Sequence, residues 1–375
     1  MRRISDMRRL LRSPLSNDPA AWFSCSLHVP DSEDRITLAH GEGGRLSRRL
    51  IREHILSRLG NEVLLRLDDA ASLTFPFLVG NDPASATSLA FTTDSYTVTP
   101  LFFPGGDIGQ LAVFGAVNDL AVTGARPLWL SLAFIIEEGL PLNLLDRVLD
   151  SIRSAASAAQ VEIVTGDTKV VPRGAADQLY ITTAGIGLRM PSAPAGAASL
   201  QPGDEIIVSG PIGRHGAAIL CSREKFDFDP PPKSDCGPLT APLMALINEG
   251  LTPRAVRDAT RGGIAAVLHE WTEMAGTSCT IVEDQIPLTS SVRAVCELLG
   301  LDAIHLANEG TCVLATPPHA TQATLEVLRR FEITSSATVI GRLHPPRRVP
   351  VSILRVSGRE VAVEEPAGAP LPRIC

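Results

Sequence analysis

Short clusters of Gly, Asp, Asn, Lys and Glu recur along the chain: HGEGGR (40–45), LDDA (67–70), TTDS (92–95), NDL (118–120), GDTK (166–169), RDATRGG (257–263) and ANEG (307–310). Glycine lets backbone N–H groups approach phosphate oxygens, and carboxylates hold the Mg²⁺ that bridges those phosphates. One such cluster is usually a turn. Their recurrence through one chain points to a nucleotide and its cation. The chain then ends on a thiol, Cys375, in PLPRIC. A terminal Cys has no downstream chain to bury it, so it is prone to oxidation unless it does chemistry.

The familiar phosphate loops are absent. No G-x-x-x-x-G-K-[ST] occurs, and GEGGRL and GIGLRM both fail G-x-G-x-x-G, so an ATP site needs another architecture. The elements that must position the clusters are legible. LSRRLIREHILSRLG has helical spacing and a closing Gly60, with Leu46, Leu50, Ile51 and Ile55 expected in the core. Strand-like SLAFTTDSYTV, PLWLSLAFI, VEIVTGDT and QLYITTAGIGL are interleaved with helical LAVFGAVNDLAVTG and LLDRVLDSIRSAASAAQ. MPSAPAGAASLQPGDE breaks the pattern, which then restarts with a DEIIVSG strand and a GAAILCSRE helix. A Pro-rich loop, helices near 238–249 and 261–275, and strands in CTIVED, GTCVLAT and ATVIGRL follow, with RRVPVSILRVSG as a last strand-like piece. The mixture predicts an α/β fold in two domains, 36–190 and 198–345, after an extension over 1–35 and before a flexible tail over 346–375.

Composition excludes other classes. A formal charge of −7 and 4% aromatic residues argue against nucleic acid. Seven Cys without a CxxC point away from disulfides and zinc, towards a reducing cytoplasm. No apolar run reaches the ~18 residues of a membrane helix.

The ordered set GEGGR, DDA, TTDS, NDLAVTGARP, TGDTKVV, SGPIGRHGAAI, RDATRGG and LANEG resembles the AIR-synthetase-like (PurM) ATP-binding superfamily. Within it, FTTDSYTVTPLFFPGGDIG, IEEGLP, DTKVV, CELLGLDA and the terminal PRIC are similar to the hydrogenase maturation factors of the HypE family, the carbamoyl dehydratases. The likeness spans residues 36 to 375. It implies a two-domain PurM-like fold, a homodimer, and ATP with Mg²⁺. A carbamoyl group would arrive on Cys375 from the carbamoyltransferase HypF and be dehydrated to a thiocyanate. The cyano group would then pass to iron on a HypC–HypD scaffold.

The resemblance also implies roles. Asp69, Asp94, Asp119 and Asp167 are expected Mg²⁺ ligands, with Asp68 open as an alternative to Asp69. Gly41, Gly43 and Gly44 are expected over the phosphates, with Asn308 and Asp258 also near nucleotide or metal. Arg261 joins Asp258, and Gly262-Gly263 opens a helix towards anion. Lys169 is expected on the transferring phosphoryl or carbamoyl oxygen, and Glu309 is the base for the carbamoyl nitrogen. His215 reads as a packing residue, and Arg373 as a charge favouring the Cys375 thiolate. The longer N-terminal extension and TFPFLVGNDPASAT depart from the family pattern without touching a chemical motif. A phosphotransferase of the same superfamily, or a docking protein with a Pro-rich tail, are the rival readings.

Overall fold

Period-two burial along the strands, and apolar residues all round one helix, decide which surfaces meet. The computed structural model describes His40 and residues 44–74, 88–226, 228–365 and 374–375. Gly41, Gly43, Arg373, the extension and residues 75–87 lie outside these. Helix α1 (Gly44–Leu50) runs through a wider coil, Ile51–Leu56, into α2 (Ser57–Leu59). Its expected core residues are not core: Leu46, Leu50 and Ile51 are half-buried and Ile55 is exposed. Helical spacing alone does not say how much of a stripe is covered.

The first half continues with β1 (Ala71–Thr74), β2 (Ser88–Tyr96), β3 (Phe102–Phe103), β4 (Gly106–Asp107), α3 (Ile108–Val122), β5 (Ala125–Glu137), α4 (Leu142–Ala159), β6 (Glu162–Val171) and β7 (Leu179–Arg189). Five of its strands form a sheet in the order β1-β2-β7-β5-β6, with only β5 and β6 parallel. Helix α3 is buried along nearly its whole length, against this sheet and α4. Asp107 caps it, accepting from the N–H groups of Gly109 at 2.8 Å and Gln110 at 3.1 Å.

The second half holds β8 (Glu205–Val208), α5 (Arg214–Glu224), α6 (Thr240–Asn248), β9 (Ala255–Asp258), α7 (Gly263–Ala275), β10 (Ser278–Val282), α8 (Ser290–Leu299), β11 (Cys312–Thr316), α9 (Pro318–Leu328), β12 (Thr338–His344), β13 (Val351–Leu354) and β14 (Glu360–Ala362). Its seven-stranded sheet runs β14-β13-β10-β12-β8-β11-β9. The strand-like piece beyond residue 345 is part of this sheet, since β13 pairs parallel to β10. Among the described residues no helix is long and apolar enough to cross a membrane.

Candidate active site

Alternation along β2 puts Thr92, Asp94 and Tyr96 on its covered face. Helix α3 crosses that face and carries Asp119 in its last turn, where the Thr92 hydroxyl donates to Asp119 Oδ2 at 2.6 Å. The Tyr96 hydroxyl donates to Asp94 Oδ2 at 3.0 Å. Gly115 of α3 makes room for it: a Cβ there would stand 2.1 Å from the phenolic oxygen. Asp69 arrives just before β1 and meets Arg257 Nε at 3.0 Å, while Arg257 also pairs with Glu270 at 2.7 Å. From the other sheet, antiparallel pairing sets Asp258 of β9 opposite Cys312 of β11, which brings Glu309 to the same end. Asp69, Asp94, Asp119, Asp258 and Glu309 line one cavity of about 430 Å³, together with Arg257, Arg261 and Cys375.

The segment carrying Glu309 is held by groups beneath it. Asp235 accepts from the N–H groups of Glu309 at 3.0 Å and Gly310 at 3.1 Å, and from the Thr311 hydroxyl at 2.8 Å. Gly310 has no alternative, because a Cβ would lie 1.9 Å from the Asp235 carbonyl oxygen. Asn118, beside Asp119 in sequence, donates to the Glu309 carbonyl at 3.2 Å and accepts from Leu239 N–H at 2.8 Å.

Burial disfavours the charged forms of Asp69, Asp94, Asp119, Asp258 and Glu309. Asp69 is pushed up to about 8 and Asp258 to about 6, by burial first, with Arg257 pulling both down. Glu309 and Asp119 are held well above the usual range, by burial and then by neighbouring carboxylates. Asp94 is raised by burial against the pull of Tyr96 and Arg261. So many buried acids ionise together only if positive charge joins them. Their oxygen-only donor set fits Mg²⁺. Among the described residues no three His, Cys, Asp or Glu side chains come close enough to cage a metal unaided.

The end of the chain is seated in this site. Thr97 N–H donates to the Cys375 carbonyl oxygen at 2.9 Å, His215 Nε2 lies 2.5 Å from the Ile374 carbonyl oxygen, and Ile374 is 3% exposed. Ile374 packs in the apolar core that includes Ile219 and Ala307. The expected flexible tail thus has an anchored end.

The site therefore gathers Asp69, Asp94, Asp119, Asp258, Glu309 and Cys375 around one cavity, and Asp68 lines it beside Asp69. Gly44 opens α1 with φ +80°, as a loop-to-helix glycine would. Within a single chain three of the expected residues stand apart from the cavity. Asn308 is wholly buried and structural: its Oδ1 accepts from Gly213 N–H at 2.7 Å and its Nδ2 donates to the Ala259 carbonyl at 2.7 Å. Asp167 and Lys169 pair with each other at 3.2 Å on β6, exposed and away from the cavity. The sheet order places β6 three strands from β2, about 14 Å at the usual strand spacing. Sequence reasoning missed Arg257, Asn118 and Asp235, while His215 is buried against Phe103 as a packing residue would be. Arg257 and Asn118 lay inside quoted clusters; Asp235, in a Pro-rich loop, carried no signal.

Both halves of the chain match domain families. Residues 67–189 match the AIR synthase related protein N-terminal domain, and residues 201–353 match the AIR synthase related protein C-terminal domain. The carbamoyl dehydratase HypE of Escherichia coli (strain K12) is 44% identical over 342 residues, covering 91% of this chain and all of that protein. A crystal structure of a HypE–HypF complex aligns with a TM-score of 0.78 at 41% identity, over 84% of this chain and 99% of that one. A hydrogenase maturation protein HypE in complex with ATP aligns with a TM-score of 0.74 at 41% identity, over 90% of this chain and all of that one. The fold is PurM-like, and the chain belongs to the carbamoyl dehydratase HypE family of hydrogenase maturation proteins.

Proposed function

We propose that the chain uses Mg-ATP to dehydrate a carbamoyl group carried on its own Cys375, leaving a thiocyanate that supplies a cyanide ligand to the active-site iron of a [NiFe] hydrogenase. One observation carries this reading: the last residue lines the same cavity as the buried carboxylates and two arginines. The HypE–ATP complex and the HypE–HypF complex support ATP as the co-substrate and HypF as the carbamoyl donor. A HypC–HypD iron scaffold would then receive the cyano group.

An amide oxygen is a poor leaving group, so the chemistry must improve it. The carbamoyl oxygen attacks the γ-phosphorus of ATP and ADP leaves. The nitrogen then loses both of its protons, one to solvent and one to a base, as the C–O bond breaks and phosphate departs with the bonding pair. The products are thiocyanate, ADP and phosphate. Glu309 is the base this cavity offers, and its raised proton affinity suits that task once it is ionised. Arg257 and Arg261 line the cavity where phosphoryl charge would collect. Asp69, Asp94, Asp119 and Asp258 offer the oxygens that would hold Mg²⁺, which would neutralise phosphate charge.

We place Asp167 and Lys169 in the site of a second copy, within a homodimer. The exposed Phe91, Trp129, Ile135, Ile163, Val164 and Val170 support a partner on this sheet. A cytoplasmic setting accords with the six unbridged cysteines among the described residues.

The test is single-turnover ADP release. The carbamoylated protein should release ADP in step with loss of the carbamoyl group, and Cys375→Ala should release none. Equal ADP release from Cys375→Ala would favour a phosphotransferase acting on another molecule.

A further inference from the structure

His215 is fully buried on α5, yet both ring nitrogens have polar partners. Nδ1 lies 2.9 Å from the Ser234 hydroxyl and Nε2 lies 2.5 Å from the Ile374 carbonyl oxygen. A carbonyl only accepts, so Nε2 carries the proton and Nδ1 accepts from Ser234. The Ser234 oxygen in turn accepts from Cys236 N–H at 3.1 Å. Phe103 packs edge-on to the ring, with centroids 5.4 Å apart at 82°. Each contact fixes the ring, and the ring's one outgoing donor goes to the tail.

We propose that His215 is a positioning residue that sets the register of Cys375 in the cavity, by donating Nε2–H to the Ile374 carbonyl with Ser234 fixing the tautomer. The inference rests on the reading of Cys375 as the carbamoyl carrier. His215 does not line the reacting cavity, so it acts through the tail alone. The seat has three points: this donor, Thr97, whose N–H and hydroxyl both donate to the Cys375 carbonyl oxygen, and the buried Ile374 side chain. Two of them hold main-chain groups and the third holds the neighbouring side chain. The reacting carbon is thereby placed by residues that take no part in the chemistry.

Two substitutions in the full-length protein separate positioning from packing. His215→Gln keeps an amide N–H near the place of Nε2, whereas His215→Asn is too short to reach it. Three quantities would be read: alkylation of Cys375 by iodoacetamide without nucleotide, single-turnover dehydration of the carbamoylated tail, and the Kd for Mg-ATP. His215→Asn should alkylate about tenfold faster and dehydrate about 10- to 100-fold more slowly, with the Mg-ATP Kd retained. His215→Gln should recover most of both losses. Ser234→Ala, a smaller change at the tautomer-setting partner, should move both rates in the same direction even if His215→Asn does not fold. Parent-like rates in His215→Asn, or equal losses in the Gln and Asn variants, would overturn the proposal. If the parent does not dehydrate its tail while His215→Asn still exposes the thiol, the seat stands and the proposed function fails.

Discussion

Glu309 sits at the meeting point of the two sheets, 5% exposed, with its backbone fastened to Asp235. Burial first, and then the neighbouring Asp258, Asp235 and Asp94 carboxylates, raise the proton affinity of its carboxyl well above the ordinary range. Glu309→Gln keeps the shape of the side chain and removes the group that could take a proton. Dehydration should fall by about 10²- to 10⁴-fold, as expected for loss of a general base, while thermal stability and Mg-ATP affinity stay near those of the parent. A large drop in Tm would show instead that the carboxyl is a structural anchor. The cation dependence follows from Asp69, pushed up to about 8, and Asp258, pushed up to about 6. Both folded-state values lie above the ordinary value, so the folded state binds protons that the unfolded chain has released. Stability without cation then falls as pH rises from about 4 towards 8. Mg²⁺ takes the place of those protons, so the Tm gain it confers should be larger at about pH 8.5 than at about pH 5.5. Equal gains at both would contradict carboxylate ligation.

The elements that carry these residues are joined by close approaches that leave no room for a methyl group. Gly115→Ala on α3 would drive Tyr96 from Asp94, and should cost roughly 1–3 kcal/mol of stability and weaken Mg-ATP binding, both readable by thermal melts with and without nucleotide. Melting and binding unchanged from the parent would show that the helix–strand contact is looser than described. Much of this scale was legible in the sequence. Apolar runs with TTDS, GDTK or ANEG at their ends read correctly as strands, and the LAVFGAVNDLAVTG run as a helix. What was not legible is long-range closure. His215 is paired with a residue 159 positions away, and Asp235 with one 74 away, so neither has a local pattern to betray it. Asn308 failed for a related reason. Its cluster looked chemical, but the side chain turns inward to tie Gly213 to Ala259. Helix α1 failed because an apolar stripe predicts a covered face without saying what covers it.

At the scale of the whole molecule, one chain brings most of the chemistry to one cavity but leaves Asp167 and Lys169 on an exposed edge strand. Trp129→Glu on the same sheet should yield a monomer by light scattering, with dehydration reduced at least tenfold. Mixed dimers sharpen the point. Lys169→Ala and Cys375→Ala should each be inactive alone yet recover activity when reassembled together, because one mixed site then holds both residues. Mixed dimers as inactive as either parent would place Lys169 in the same chain as its Cys375. The central claim is that the chain acts on its own last residue, and the direct measurement is the mass of its C-terminal peptide. After loading by a carbamoyltransferase, the peptide should gain one carbamoyl group on Cys375, then lose one water on addition of Mg-ATP. A peptide that stays carbamoylated while ATP is consumed, or that is never modified at Cys375, would contradict the account.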